Sequence, residues 1–429
     1  MGATKKGRRG NFLSRIYFHL MHDSFYKNSM YLLINMAFST VAGFFFVVIC
    51  AHLFTQKDFG YATSMTGALG LAVAFSNLGM NRTIVRFLGR SETKSRDLVS
   101  KLSIVLIFAL LSGIILSSFL KSFGIEQVNP LTVFIFIITV LVCSVKSLFD
   151  FAFIAIRNSS GALIENSFFG ITKLVFPVFV VGSGFLGIFS AQLAGALVAV
   201  LASVIILRVK HGFEFRIQPS KDAMIGKWRF AMGSYTSDLV GGLPTSILPI
   251  IVVARFGPIS GALWYVAMQI TNFLLTVSGS VNQAMFAEMA NERGDLRKFV
   301  KKASITMYGL LIPLSISVFI FAPNILTVFH GNYVAAQHVL RLMTVFALLG
   351  VANYITGSIL LLFKKVAYIT FVNAVNAGVV IFYCVIFAHN VNGVAIGWML
   401  GELANLILFV GGGIFVARQH GGSLDWDAT

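Results

Sequence analysis

The sequence predicts an all-α integral membrane protein with twelve transmembrane helices in two six-helix lobes related by pseudo-two-fold symmetry. Three observations carry that expectation. Of 429 residues, 57% are hydrophobic and only 11% are charged, and mean hydropathy is +0.84. A soluble domain carries about 25% charged residues, and so few could not keep its surface wet. The apolar residues gather into twelve runs, each near the roughly 20 residues that a helix needs to cross a bilayer. The basic residues, 33 against 16 acids, gather in alternate loops. This composition excludes a soluble globular protein, a disordered tail and a secreted disulfide scaffold.

The runs lie at 29–54, 61–80, 102–120, 131–156, 162–182, 184–207, 230–254, 259–281, 303–322, 338–363, 366–388 and 392–416. Lipid offers backbone polar groups no partner, so each run reads as a helix. Residues 1–28 form a basic segment ahead of the first run. That run is too long for a signal-peptide core and is expected to stay in the mature chain. Within the segment, Asn11 to Lys27 mixes Phe12, Ile16, Phe18 and Leu20 with Arg15 and His19. It reads equally as a surface amphipathic helix or a floppy basic tail. Residues 29–207 make the first lobe, 208–229 a linker, 230–417 the second lobe and 418–429 a tail. The N-terminus, the tail and the loops after the even-numbered runs hold 27 of the 33 basic residues. Lys57, Lys121, Arg255 and Arg341 are the basic residues of the opposite side. Such asymmetry puts both termini in the cytoplasm.

The two sets of six runs also resemble each other weakly. The first run ends Val47-Val48-Ile49-Cys50-Ala51, the seventh Ile250-Ile251-Val252-Val253-Ala254, and a short turn follows each. Six helices is an even number, so both repeats point the same way. Parallel repeats with a site at their interface form a transporter pattern.

Thr55-Gln56-Lys57-Asp58-Phe59-Gly60-Tyr61 forms a turn after the first run. Leu78-Gly79-Met80-Asn81-Arg82, continuing to Arg86-Phe87, ends the second. Phe329-His330-Gly331-Asn332-Tyr333-Val334-Ala335-Ala336 forms a loop after the ninth. These three stretches resemble the D-F/Y-G-x-Y turn after the first span, the end of the second span and the loop after the ninth in the polysaccharide-transport flippases of the multidrug/oligosaccharidyl-lipid/polysaccharide exporter superfamily. The resemblance covers nearly the whole chain. It departs from the lipid II flippases of the same superfamily, which usually carry fourteen spans. It implies export of an oligosaccharide linked to undecaprenyl pyrophosphate across the inner membrane, for O-antigen (lipopolysaccharide), capsule or exopolysaccharide assembly. The partners it implies are that lipid-linked substrate, membrane lipids and polysaccharide polymerase machinery. Nucleic acid is not among them.

Ionisable residues inside spans are costly, so each is a functional hypothesis. Lys146 and Asp150 lie i,i+4 on the fourth run, and Glu165 and Lys173 lie on the fifth. They read as salt bridges holding the two helices, or as a cationic lining for a pyrophosphate, joined by Arg82 and Arg86 at the cytoplasmic mouth. Gln269 and Asn272 form a polar stripe on the eighth run and complete the substrate-binding candidates. Asp238 on the seventh and Glu402 on the twelfth have no basic residue in their own spans. With Asn373, Asn376 and Asn405 they form a candidate cation-coupling site for Na⁺ or H⁺, as an antiporter requires. The alternative is interhelical hydrogen bonding. No cofactor and no firm metal site is expected. Cys50, Cys143 and Cys384 sit in apolar runs without metal spacing. No catalytic constellation appears, so an enzyme is not expected. The competing readings are a cation-coupled multidrug exporter of the same superfamily and a membrane polymerase or glycosyltransferase.

Overall fold

The computed structural model describes residues 24–216, 228–291 and 296–419. The basic N-terminal segment before Ser24, residues 217–227 of the linker and the tail from residue 420 lie outside the described residues. Those described are helical, without a strand. Ten helices among them are long and apolar enough to cross a membrane by length and composition, against twelve expected runs. The helices are α1 (Ser24–Leu53), α2 (Gln56–Asn77), α3 (Lys94–Ser118), α4 (Pro130–Ala155), α5 (Ser159–Phe179) and α6 (Gly184–His211). Trp228–Asn291 follows as one hydrogen-bonded stretch, but Gly257 is non-helical at φ 84°, ψ 168°. We name its arms α7 (228–256) and α8 (258–291). The remainder are α9 (Leu296–Ile320), α10 (Gln337–Leu362), α11 (Val366–Ile386) and α12 (Val391–Gln419). The difference of two has a physical reason. The arms of the bent helix count once, and α2 is too rich in Gly, Ser and Thr to read as a span by hydropathy.

Local chemistry sets the boundaries. Thr55 caps α2, its hydroxyl accepting the Asp58 N–H at 3.1 Å. Asn129 caps α4 by accepting the Thr132 N–H at 2.8 Å, with Pro130 at the first helical position. Gly212, at φ 66°, closes α6 behind Arg208, Lys210 and His211, which suit a helix C-terminus. The second expected run, 61–80, breaks earlier than expected. Leu78 (φ 42°) and Gly79 (φ 72°) are both left-handed and end α2. A separate short helix, Met80–Phe87, then carries Arg82 and Arg86.

α2 lies along α7 and the start of α8 for its whole length. The seam is made of small residues. A Cβ on Gly60 would fall 1.8 Å from the Pro258 carbonyl oxygen, one on Gly67 2.5 Å from that of Ser246, and one on Gly79 2.1 Å from that of Ala231. Backbones this close need glycine.

Around the seam the core is uneven. At the end poor in basic residues, one cluster joins both halves, with Phe59, Met65, Phe189, Trp264, Phe329 and Tyr333 fully buried. At the basic-rich end the first half has its own core, including Met80, Leu148, Phe149, Phe153 and Leu207. The second half has a small separate one of Leu360, Val372 and Phe409. Large apolar side chains such as Ile107, Phe134, Leu201, Ile305 and Ile407 face outward and are exposed, as a lipid-facing belt is.

Candidate functional site

A cavity of about 500 Å³ opens in the second half, bounded by α1, α7, α8, α10, α11 and α12. Glu402 of α12 is its one carboxylate among the lining residues, and Asn272, Asn353, Asn373 and Asn405 line it too. Three amides converge on Glu402. Asn353 donates to Oε2, while Asn376 and Asn405 donate to Oε1 at 3.2 and 3.5 Å. The close approach of α11 depends on Gly401, where a Cβ would meet Val380 at 2.2 Å and Asn376 Nδ2 at 3.3 Å. The amide oxygens Oδ1 of Asn353 and Asn405 are buried with no hydrogen-bond partner. A carboxylate beside two unpartnered amide oxygens is an oxygen donor set, which suits a hard cation such as Na⁺. The carboxyl alone suits a proton.

Asp238 is expected in this set, for want of a basic residue in its span. The structure corrects that grouping. Asp238 pairs with Arg82, its two oxygens accepting from Nε and Nη2 at 3.0 Å each. The partner lies 156 positions away in the other half, where a search along one span could not find it. The two hydrogen bonds hold the Arg82 guanidinium above its ordinary pKa. Arg86 lies on the same junction, its guanidinium 4.4 Å from the centre of the Phe230 ring of α7. Both arginines therefore engage α7 rather than standing free at a mouth.

The remaining substrate candidates do not form one lining. Lys146 binds Asp150 at 2.7 Å and donates to Asn166 Oδ1 at 2.8 Å. Lys173 has no carboxylate within ion-pair distance among the described residues. It sits over Phe46 of α1 at 4.2 Å and over Phe169 at 5.7 Å, a ring that Lys146 also faces at 5.1 Å. Gln269 packs against α1, its Nε2 3.0 Å from where a Cβ on Gly43 would stand. Asn272 belongs to the Glu402 cavity instead. Asn166 and Asn353 were missed at the level of sequence. Each is a lone neutral amide in an apolar run, and its importance comes from the charged residue it faces.

Two of the stretches that carried the family resemblance meet in space. Phe59 packs edge-on against Tyr333, ring centres 6.4 Å apart. Asp58 accepts the Phe185 N–H of α6 at 3.2 Å, and Tyr61 donates to Glu126 at 2.9 Å. The turn thus knots α2, α6, α8 and the loop before α10 at one end of the bundle.

Compared by sequence, the chain matches no curated protein. Among solved structures it is similar to the lipid II flippase MurJ in an inward closed conformation, with TM-score 0.72, 14% identity and coverage of 88% of this chain and 86% of that one. It is also similar to an inward-facing multidrug resistance MATE family transporter of the MOP superfamily (TM-score 0.67, 15% identity, 89% and 95% covered). An outward-facing transporter of that family matches at TM-score 0.56, 17% identity, with 93% and 98% covered. These likenesses establish the fold. The model of the polysaccharide biosynthesis protein family matches residues 25–286, more than half of the chain. The chain is a multi-pass membrane protein that belongs to the polysaccharide biosynthesis protein family.

Proposed function

We propose that this protein is a flippase that moves a polyprenyl-pyrophosphate-linked oligosaccharide across the inner membrane by alternating access. Its moving parts are two six-helix lobes, residues 29–207 and 230–417, with both termini cytoplasmic. Export serves surface polysaccharide assembly, and the polymerase that joins the exported units is the expected downstream partner. The observation that carries this reading is the Glu402 cavity, a carboxylate with surplus oxygen donors inside the second lobe. A buried carboxylate is costly unless it is neutralised. Na⁺ or H⁺ would offset that cost, and an ion that binds one lobe arrangement better shifts the equilibrium toward it. Glu402, Asn353 and Asn405 would hold the ion, and Asn376 would orient the carboxylate.

The split core supports alternating access. The halves share one core at the basic-poor end and keep separate cores at the basic-rich end. The α2–α7 seam, the Arg86–Phe230 contact and the Arg82–Asp238 pair bridge the latter. That is the arrangement of a state facing the cytoplasm and closed by a thin latch. In this reading Lys173 is the cation with charge to spare for a pyrophosphate.

A second reading is favoured by the likeness to multidrug transporters, namely cation-coupled export of a drug-like cation. The test is reconstitution in liposomes with a fluorescent polyprenyl-pyrophosphate oligosaccharide, under imposed Na⁺ or H⁺ gradients. Gradient-driven flipping, lost in Glu402→Gln, is the expected result. Export of cationic dyes with no lipid movement would overturn it in favour of the extruder.

A further inference from the structure

The first half holds a second buried carboxylate that the coupling site does not use. Glu165 of α5 has a side chain with 0% exposure. Its Oε1 lies 4.0 Å from Lys146 Nζ, whose closer partner is Asp150 Oδ2 at 2.7 Å. Neither oxygen of Glu165 has a hydrogen-bond partner. The neighbouring amide cannot supply one, because Asn166 gives its two N–H bonds to Asp150 Oδ1 at 2.7 Å and to Ala162 O at 3.1 Å. The hydroxyl that faces Glu165 belongs to Ser203 of α6, and its hydrogen goes to Ala199 O at 2.9 Å.

A carboxylate accepts and cannot donate, whereas a carboxylic acid has one O–H to give. The surroundings of Glu165 therefore suit the acid. The charge count agrees. Two acids share one lysine, so full ionisation would leave one uncompensated negative charge in a dry interior, which is strongly unfavourable. The charged groups facing Glu165 are Asp150 and Lys146. Lys146 faces Cys143 as well, and Lys173 lies across the Phe169 ring.

We propose that Asp150, Lys146 and Glu165 form a proton-binding site in the first half, holding one exchangeable proton that rests on Glu165. The lysine selects a proton over a metal ion. Its ammonium already occupies the space beside both carboxyls and repels a second cation, while a proton rides on a carboxyl oxygen and needs no coordination shell. Loss of the proton makes Glu165 a second carboxylate competing for Lys146, and gain of the proton leaves Lys146 to Asp150 alone. Proton occupancy then sets how much positive charge α4 and α5 present to an anionic head group. That last consequence rests on the flippase reading. The proton site does not.

The test is infrared difference spectroscopy of the purified protein in nanodiscs, reading the C=O stretch of protonated carboxyls. Wild type minus Glu165→Gln should reveal one such band. Asp150→Asn should lose the same band although Glu165 is still present, because one carboxylate then balances one lysine. A band that persists in Asp150→Asn means that burial alone keeps Glu165 neutral, and it overturns the shared site. So does the absence of any difference between wild type and Glu165→Gln. Both variants replace a carboxyl by its amide of the same shape, and a melting temperature within a few degrees of wild type confirms that they are folded. If the spectra behave as expected and no polyprenyl lipid moves in liposomes, the proton site stands and the substrate reading falls.

Discussion

Lys146 and Lys173 are both lysines at mid-depth in the bundle, yet their surroundings give them opposite roles. Lys146 is saturated by Asp150, Asn166 and Glu165. Removing one member of a buried ion pair leaves the other charge stranded, at a cost of about 3–5 kcal/mol. Lys146→Ala is therefore expected to lower the unfolding temperature in detergent sharply, and loss of transport in that variant says little about substrate. Lys173 is held by two aromatic rings, an interaction that contributes about 2 kcal/mol when desolvated and leaves no carboxylate stranded on its removal. Lys173→Ala should fold, melt within a few degrees of wild type and flip the pyrophosphate lipid several-fold more slowly. Unchanged flipping would remove Lys173 from the substrate path. Glu402 makes a third case. An ion that binds only the folded protein stabilises it by mass action, about 2.7 kcal/mol at 100 times its dissociation constant. Either Na⁺ or lowered pH should raise the melting temperature of wild type more than that of Glu402→Gln, which keeps only the Glu165 response to pH. Equal responses in both proteins would place coupling elsewhere.

Between elements, the seam of α2 against α7 and α8 matters most. Its glycines let two backbones touch at both ends, so a single methyl acts as a wedge. Overpacking costs about 1–3 kcal/mol, and each 1.4 kcal/mol is tenfold in a two-state population. Gly60→Ala should part the end poor in basic residues and Gly79→Ala the opposite end. Spin-label distances across each end would show opposite shifts for the two variants, and identical shifts would mean that the seam does not gate. The Arg82–Asp238 pair is half exposed, at 55% and 46%, and such a pair contributes about 0–1 kcal/mol. Its importance is positional, since it spans the halves where their cores are separate. Arg82→Asp should speed opening of the basic-rich end without lowering the melting temperature by more than a few degrees. Combining it with Asp238→Arg should restore closure. Failure of the swap to restore it would reduce the latch to a surface ion pair.

At the scale of the whole molecule, orientation is decided by charge rather than by packing. The end carrying Lys57 and Lys121 has four basic residues, and the opposite end has most of the 33. Single cysteines at Gln127 and Glu92, in a protein whose native cysteines are buried or half-buried, test this directly. A membrane-impermeant thiol reagent added to intact cells should label position 127 and spare position 92 until the membrane is opened. The reverse pattern would invert the topology and, with it, the direction in which the latch faces.

The helices, their order, their approximate limits and the membrane as solvent were legible in the sequence. The reason is that lipid leaves the chain little choice: backbone groups must pair within a segment, and apolar runs of the right length have one stable form. Residues at the edge of that rule were less legible. α2 is diluted by the glycines that the seam requires, and the bend at Gly257 joins two expected spans into one stretch. The functional residues divide along the same line. Glu402 with Asn376 and Asn405 could be grouped from depth and residue type alone. Asp238 could not be placed that way, because its partner Arg82 reaches it only after two halves of the chain have packed. The excess carboxyl at Glu165 was invisible for a similar reason. Its character depends on where Asn166 and Ser203 spend their hydrogens, and only the tertiary structure decides that. Burial inside lipid can be read one residue at a time, whereas neutralisation of a buried charge is a property of pairs.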